Sequence, residues 1–139
     1  MGYLLDTNAV IAVLKDAHSP VGVRLRREAP GEVFVSAIVL HELFYGAFKS
    51  ARVERNVALV ERLRFGVLEF SAEDARAAGR VRAALAAKGT PIGPYDVLIA
   101  GQALARGLVL VTRNGGEFGR VEGLGVENWE SQKTGRAQT

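Results

Sequence analysis

Short apolar runs alternate along the chain with longer segments in which apolar residues recur every three or four positions. Tyr3-Leu4-Leu5, Val33-Phe34-Val35, Val67-Leu68 with Phe70, and Leu108 to Val111 are brief and bounded by polar or turn-forming residues. This is the pattern of strands buried on both faces. Between them the helical period predicts helices over 8–14, 21–28, 37–48, 54–64, 71–88 and 95–106. Local chemistry agrees: Asp6-Thr7-Asn8, Ser19-Pro20, Ser36 and Ser71 stand at helix starts, and Gly107 at a helix stop. Gly115-Gly116 reads as a turn and Val126 as the seed of a last short strand. Strands alternating with helices predict an α/β fold, a three-layer α/β/α sandwich with a mostly parallel central sheet. One domain is expected over residues 1–130, followed by a polar, frayed tail at 131–139.

Composition narrows the chemistry. The chain has 139 residues, 48% hydrophobic and 24% charged, which excludes a largely disordered protein. The absence of cysteine removes disulfides, thiolate metal sites and cysteine nucleophiles together. A net charge of +3 permits a phosphate-bearing partner without establishing one. No apolar run approaches the roughly 18 residues of a membrane span, and Asp6 interrupts the segment where a secretory leader is apolar, so a cytoplasmic protein without membrane contact is expected. His41-Glu42 starts an H-E-x-x-H motif, but Tyr45 occupies the second histidine position. Walker A, dinucleotide-binding and G-x-S-x-G patterns are absent as well.

Carboxylates remain. Asp6 ends the first strand, where open parallel sheets carry their functional crevice. Glu42 interrupts the very apolar helix 37–48, a costly position for a carboxylate unless it meets a cation or a cleft. Asp96 opens the helix after Pro94, and Thr112-Arg113-Asn114 follows the strand ending at Val111, with Glu117 three residues on. Singly, each has a bland reading as a helix cap, a solvated acid or a polar turn. Together they form a hard-oxygen set suited to Mg²⁺ or Mn²⁺, and without a cation such acids raise one another's pKa. Arginines on 24–27 and 76–82 are expected to pair with Glu28, Glu73 or Asp74, which leaves Arg113 as the favoured contact to a substrate phosphate.

Four segments in order resemble the successive motifs of PIN-domain ribonucleases: Leu4-Leu5-Asp6-Thr7-Asn8; Ser36 to Ala47 with His41-Glu42-Leu43; Gly93-Pro94-Tyr95-Asp96-x-x-Ile99-Ala100; and Val111-Thr112-Arg113-Asn114-x-x-Glu117-Phe118. The likeness is to VapC toxins of toxin–antitoxin pairs, especially the branch that cuts initiator tRNA. The resemblance implies a PIN-like fold and a Mg²⁺- or Mn²⁺-dependent endoribonuclease acting on RNA, with tRNA as the expected substrate. It implies Asp6, Glu42, Asp96 and Glu117 as catalytic acids, the first three as metal ligands. Thr7, Asn8, Thr112, Arg113 and Asn114 are implied as residues that orient ligands or substrate. Asn114 stands where many relatives carry Asp, so the fourth position is open between Asn114 and Glu117. A VapB-like antitoxin, a homodimer and a toxin–antitoxin hetero-oligomer are the implied partners. Two alternatives stand beside this reading: a haloacid-dehalogenase-type phosphatase, which needs an acid where Asn8 lies, and a catalytically weakened PIN module that only binds RNA or a partner.

Overall fold

The computed structural model describes residues 2–130; the expected polar tail at 131–139 lies outside the described residues. Five strands, β1 (Tyr3–Leu5), β2 (Val33–Ser36), β3 (Gly66–Leu68), β4 (Val109–Val111) and β5 (Val126–Glu127), form one sheet in the order β3-β2-β1-β4-β5. Every pair is parallel, with Leu5 aligned to Val35 on one side and Val111 on the other. The sheet is therefore wholly parallel where a mostly parallel one was expected. Each return to the sheet is a crossover, so no antiparallel edge forms. Phe70 lies outside β3.

Among the described residues seven α-helices flank the sheet, α1 (Thr7–Lys15), α2 (Pro20–Arg27), α3 (Ala37–Phe48), α4 (Val53–Glu61), α5 (Ala72–Ala87), α6 (Pro94–Arg106) and α7 (Gly115–Phe118), and one 3-10 turn (Pro30–Glu32) precedes β2. No described helix is long and apolar enough to cross a membrane. Helix α4 stops three residues short of the expected Arg64, and Leu63 and Phe65 pack against the core beyond its end. The expected turn at Gly115-Gly116 is instead the first turn of α7. Phe118, 1% exposed, is driven inward, and its N–H donates to the Asn114 carbonyl at 3.2 Å, which winds the segment.

The three central strands are buried because both faces are covered: Leu4, Leu5, Val35, Leu110 and Val111 are all essentially inaccessible, whereas the edge strand β3 exposes Val67. The chain leaves β1 toward β2 and β3, then returns to β4 and β5 on the other side. The order thus reverses beside β1, and a crevice opens at the carboxyl ends of β1 and β4.

Two local devices hold this frame. At the sheet edge, Trp129 is buried against Tyr3 with centroids 5.0 Å apart and lies under the Arg24 guanidinium at 4.7 Å. Arg24 also pairs with Glu28 at 2.8 Å and Glu127 at 3.4 Å, tying α2 to the two-residue strand β5. Helices α5 and α6 meet at Gly101, where an added Cβ would overlap the Ala78 backbone. Beside this contact Asp74 is fully buried. It accepts Arg106 Nε and Nη2, both at 3.0 Å, and Gln102 Nε2 at 2.9 Å, while completing a capping box with Ser71. Asp74 therefore pairs with Arg106 across the helices and not with the arginines of its own helix.

Burial alone would raise the Asp74 pKa, but the hydrogen bonds from Arg106, the Ser71 backbone and Gln102 outweigh it and hold the carboxyl below its ordinary value. A depressed folded pKa gives stability that is present above the unfolded pKa of roughly 3.9 and lost as pH falls through the folded one. Asp74→Asn should cost about 3 kcal/mol at neutral pH, because Arg106 loses its buried partner. In denaturant melts the gap to the parent protein should close below about pH 4.

Candidate active site

The carboxyl edge of the sheet gathers most of the singled-out residues. Asp6 follows β1 and is 5% exposed; its Oδ1 accepts the Ala9 N–H at 2.8 Å as the N-cap of α1, and its own N–H donates to Val111 O at 3.0 Å. It is a cap, as the bland reading had it, but one whose carboxylate sits between β1 and β4. Ser36 ends β2 and caps α3 by accepting the Ile38 N–H at 3.0 Å, which fixes the rotation of α3. Nearly two turns on, Glu42 accepts the Thr7 hydroxyl at 2.7 Å, a bond that ties α3 to α1. The cost of a carboxylate on so apolar a helix is thus met by a hydrogen bond at the cleft edge.

Asp96 lies in the first turn of α6, a position the helix dipole favours for an anion. Its pKa is nevertheless pushed up to about 6, first by burial and then by Glu117, Glu42 and Asp6. Asp6 is also raised, chiefly by burial and further by Glu130, while the Thr112 side chain, the Ala9 N–H and Arg113 pull the other way. Gly93 leaves space for the Asp96 carboxylate, since a Cβ there would lie 3.2 Å from Oδ2. The mutual repulsion expected of clustered carboxylates is therefore present across four segments far apart in sequence.

The other residues divide. Thr112 is buried after β4, and its hydroxyl accepts the Asn114 N–H at 2.9 Å. Asn114 itself is the N-cap residue of α7, without a side-chain cap bond. Of the two candidates for the fourth position, Glu117 is the one that acts on Asp96. Arg113 is largely exposed and lies 3.7 Å from Glu130. Asn8 is exposed in the first turn of α1 and makes no side-chain hydrogen bond among the described residues. Glu130, which the motifs do not contain, joins the edge because it follows β5; only the strand order reveals it.

All the grouped donors are oxygens. Among the described residues, no three His, Cys, Asp or Glu side chains form a ready-made metal cage. Such a set matches Mg²⁺, which is held by one or two carboxylates together with water and substrate phosphates, better than a cation that needs a complete protein cage.

Comparison with known proteins decides the family. A model of the PIN domain matches residues 3–124. The chain is 45% identical over 130 residues to the tRNA(fMet)-specific endonuclease VapC of Shigella flexneri, covering 91% of this chain and 97% of that protein. The chain belongs to the VapC branch of the PIN-domain family. Ribonuclease VapC2 of Haemophilus influenzae is 41% identical over 129 residues, covering 91% of this chain and 97% of that protein. A chain of the DNA-bound VapBC complex from Salmonella typhimurium superposes with a TM-score of 0.88 at 44% identity, over 93% of this chain and 98% of that one. By class, then, this VapC protein is a PIN-domain ribonuclease, and the phosphatase alternative falls away.

The crowding has a thermodynamic consequence. A carboxyl whose folded pKa is raised favours the folded state at low pH and opposes it as pH climbs through about 6. Asp96→Asn should therefore stabilise the metal-free protein by about 1 kcal/mol at pH 7.5, allowing for solvent screening, and leave the melting temperature nearly unchanged at pH 4.

Proposed function

We propose that this VapC protein is the toxin of a toxin–antitoxin pair and hydrolyses a phosphodiester bond of tRNA, with Mg²⁺ or Mn²⁺ held by Asp6 and Asp96. The observation that carries the reading is the gathering of Asp6 after β1, Glu42 on α3 hydrogen-bonded to Thr7, Asp96 at the start of α6 and Glu117 on α7 at one crevice, where Glu117, Glu42 and Asp6 each add to the raised pKa of Asp96. Structure held together at the cost of like-charge repulsion calls for a cationic occupant.

The protein's own groups divide the work. Asp6 is fixed by its cap bond and Asp96 by the start of α6, so both present carboxylate oxygens without side-chain reorganisation. Glu42, oriented by Thr7, serves the attacking water as proton acceptor, and Glu117 adds the fourth negative charge. Thr112 steadies Asp6 and the Asn114 turn, while exposed Arg113 meets the substrate backbone. A divalent cation, when bound, supplies neutralisation of phosphate charge and a water of lowered pKa. Water as nucleophile accords with a chain that lacks cysteine and any serine–histidine arrangement.

The partner follows from a second feature. A cavity of about 520 Å³ lies between α1, α3 and α4, lined by Ile11, Leu14, Leu43 and Leu59, with Glu42 also in its lining. We assign it to an apolar peptide of a VapB-like antitoxin, whose arginine would reach the acids in place of the cation. The relatives crystallised as VapBC complexes support this assignment, as they do a toxin that works within a larger assembly.

Asp6→Asn and Asp96→Asn should each lower RNA cleavage by at least about a hundredfold, beyond what loss of a supporting residue costs. Chelation should abolish parent activity and Mg²⁺ restore it; parent cleavage that survives chelation would sink the metal assignment. Gly46 faces the antitoxin cavity, and a Cβ added there would meet only open space. Gly46→Leu should weaken copurification with the antitoxin and leave cleavage of RNA by the free toxin within twofold of the parent.

A further inference from the structure

Beside the acidic crevice lies a second feature that the motifs do not account for. Helices α3 and α6, which carry Glu42 and Asp96, each place an aromatic residue directly before that acid: His41 and Tyr95. Their rings meet at 5.3 Å with a 55° tilt, and both residues are exposed, Tyr95 by 44%. Tyr95 also borders a cavity of about 430 Å³ between α5 and the start of α6. Its floor is made of small residues, Ala75, Ala78 and Gly79, and Arg82 and Leu98 complete its walls. Arg82 is exposed and has no ion-pair partner among the described residues, and it is the only charged residue lining this cavity.

We propose that this cavity is a nucleotide subsite of the RNA substrate, in which the base next to the cleaved bond stacks on Tyr95 and an adjoining phosphate pairs with Arg82. The inference rests on the ribonuclease reading above and names where its substrate lies. Three properties select a nucleotide. The volume falls in the range of small-ligand sites. An exposed ring braced by a second ring is a stacking platform, and unpaired RNA bases are commonly held on aromatic side chains. An unpartnered guanidinium on an apolar wall complements a phosphodiester, and a strand running from this cavity would enter the acidic crevice at Asp96. His41 braces Tyr95 from α3 and is a positioning residue.

The test compares cleavage of an initiator tRNA transcript by the full chain and four variants, with Mg²⁺ present. Gly79→Leu fills the cavity from an exposed helix position on α5 where an added Cβ meets nothing within 4 Å, leaving residues 95 and 96 themselves unchanged. Tyr95→Ala removes the platform, Tyr95→Phe keeps it, and Arg82→Gln removes the cation. Tyr95→Ala and Gly79→Leu should raise KM about tenfold with kcat within twofold, whereas Tyr95→Phe should match the parent. In fluorescence anisotropy with labelled RNA on an Asp6→Asn background, Arg82→Gln should lower the salt slope of binding by about 0.7, one single-strand phosphate. A parent enzyme that cuts RNA together with unchanged KM in both Tyr95→Ala and Gly79→Leu overturns the subsite and leaves the ribonuclease reading standing. Altered oligomeric mass in those variants without a KM change also overturns it and gives the surface to a second copy of the chain. A parent enzyme that cuts no RNA overturns the functional reading and the subsite with it.

Discussion

Like-charge repulsion at the carboxyl edge of a parallel sheet is the constraint around which this molecule is arranged. Asp6, Glu42, Asp96 and Glu117 come from four segments, and burial first, then the neighbouring acids, raise Asp96 to a pKa of about 6 even though the start of α6 favours a negative charge there. Separated carboxylates in water would carry no such penalty. The fold therefore has to supply the work of bringing them together, and it does so by geometry more than by compensating charge. Asp6 is pinned by a backbone N–H, Glu42 by a threonine hydroxyl, and Thr112 by its turn. Arg113, the cation that acts on Asp6, is largely exposed and shared with Glu130 at 3.7 Å.

That work is drawn from features remote from the acids. The central strand is sealed on both faces, so the residue after it has little freedom. Helix α6 carries Asp96 at one end and Arg106 at the other, and the Arg106–Asp74 pair locks it to α5 where Gly101 permits close approach. The Arg24–Trp129 stack does the equivalent at the far edge, holding β5 against β4 and bringing Glu130 to the crevice. In each case a charged group well away from the site is paired by an opposite charge, whereas of the site acids only Asp6 feels a cation among the described residues, the largely exposed Arg113. The contrast separates groups that stabilise from groups kept available for a ligand.

Much of this was legible in the sequence because the relevant signals are local. Ser36 before an apolar helix and Gly107 after one set boundaries that the structure reproduces, and Gly107 adopts the left-handed conformation at φ 64°. Short apolar runs mark four of the strands, and Asp6 and Asp96 stand where a strand ends or a helix begins, while Glu42 is conspicuous as a carboxylate inside an apolar helix. What was not legible depends on contacts between distant segments. The exchange of partners that gives Asp74 to Arg106 is decided by the packing of α5 on α6. The Thr7–Glu42 bond requires α1 and α3 to meet, which no spacing encodes. Glu130 could be placed only after the strand order was known. The helix at α7 was missed because Gly115-Gly116 is a strong turn signal and the burial of Phe118 overrides it.

The same short helix bears on the question that Asn114 raises. A fourth acid at position 114 would follow Thr112 closely, but here Asn114 occupies that place, and its backbone N–H donates to the Thr112 hydroxyl in the turn. If the segment were the open turn its glycines suggest, Glu117 would have no defined direction. Wound into α7, with Phe118 anchored in the core, Glu117 is carried back toward α6, and its charge is felt at Asp96. A negative charge can thus be moved one helical turn along the chain and still act on the same carboxylate. The loss of an acid at position 114 does not imply loss of a fourth charge, because the backbone conformation of 115–118, and not residue identity at one motif position, determines what faces the crevice.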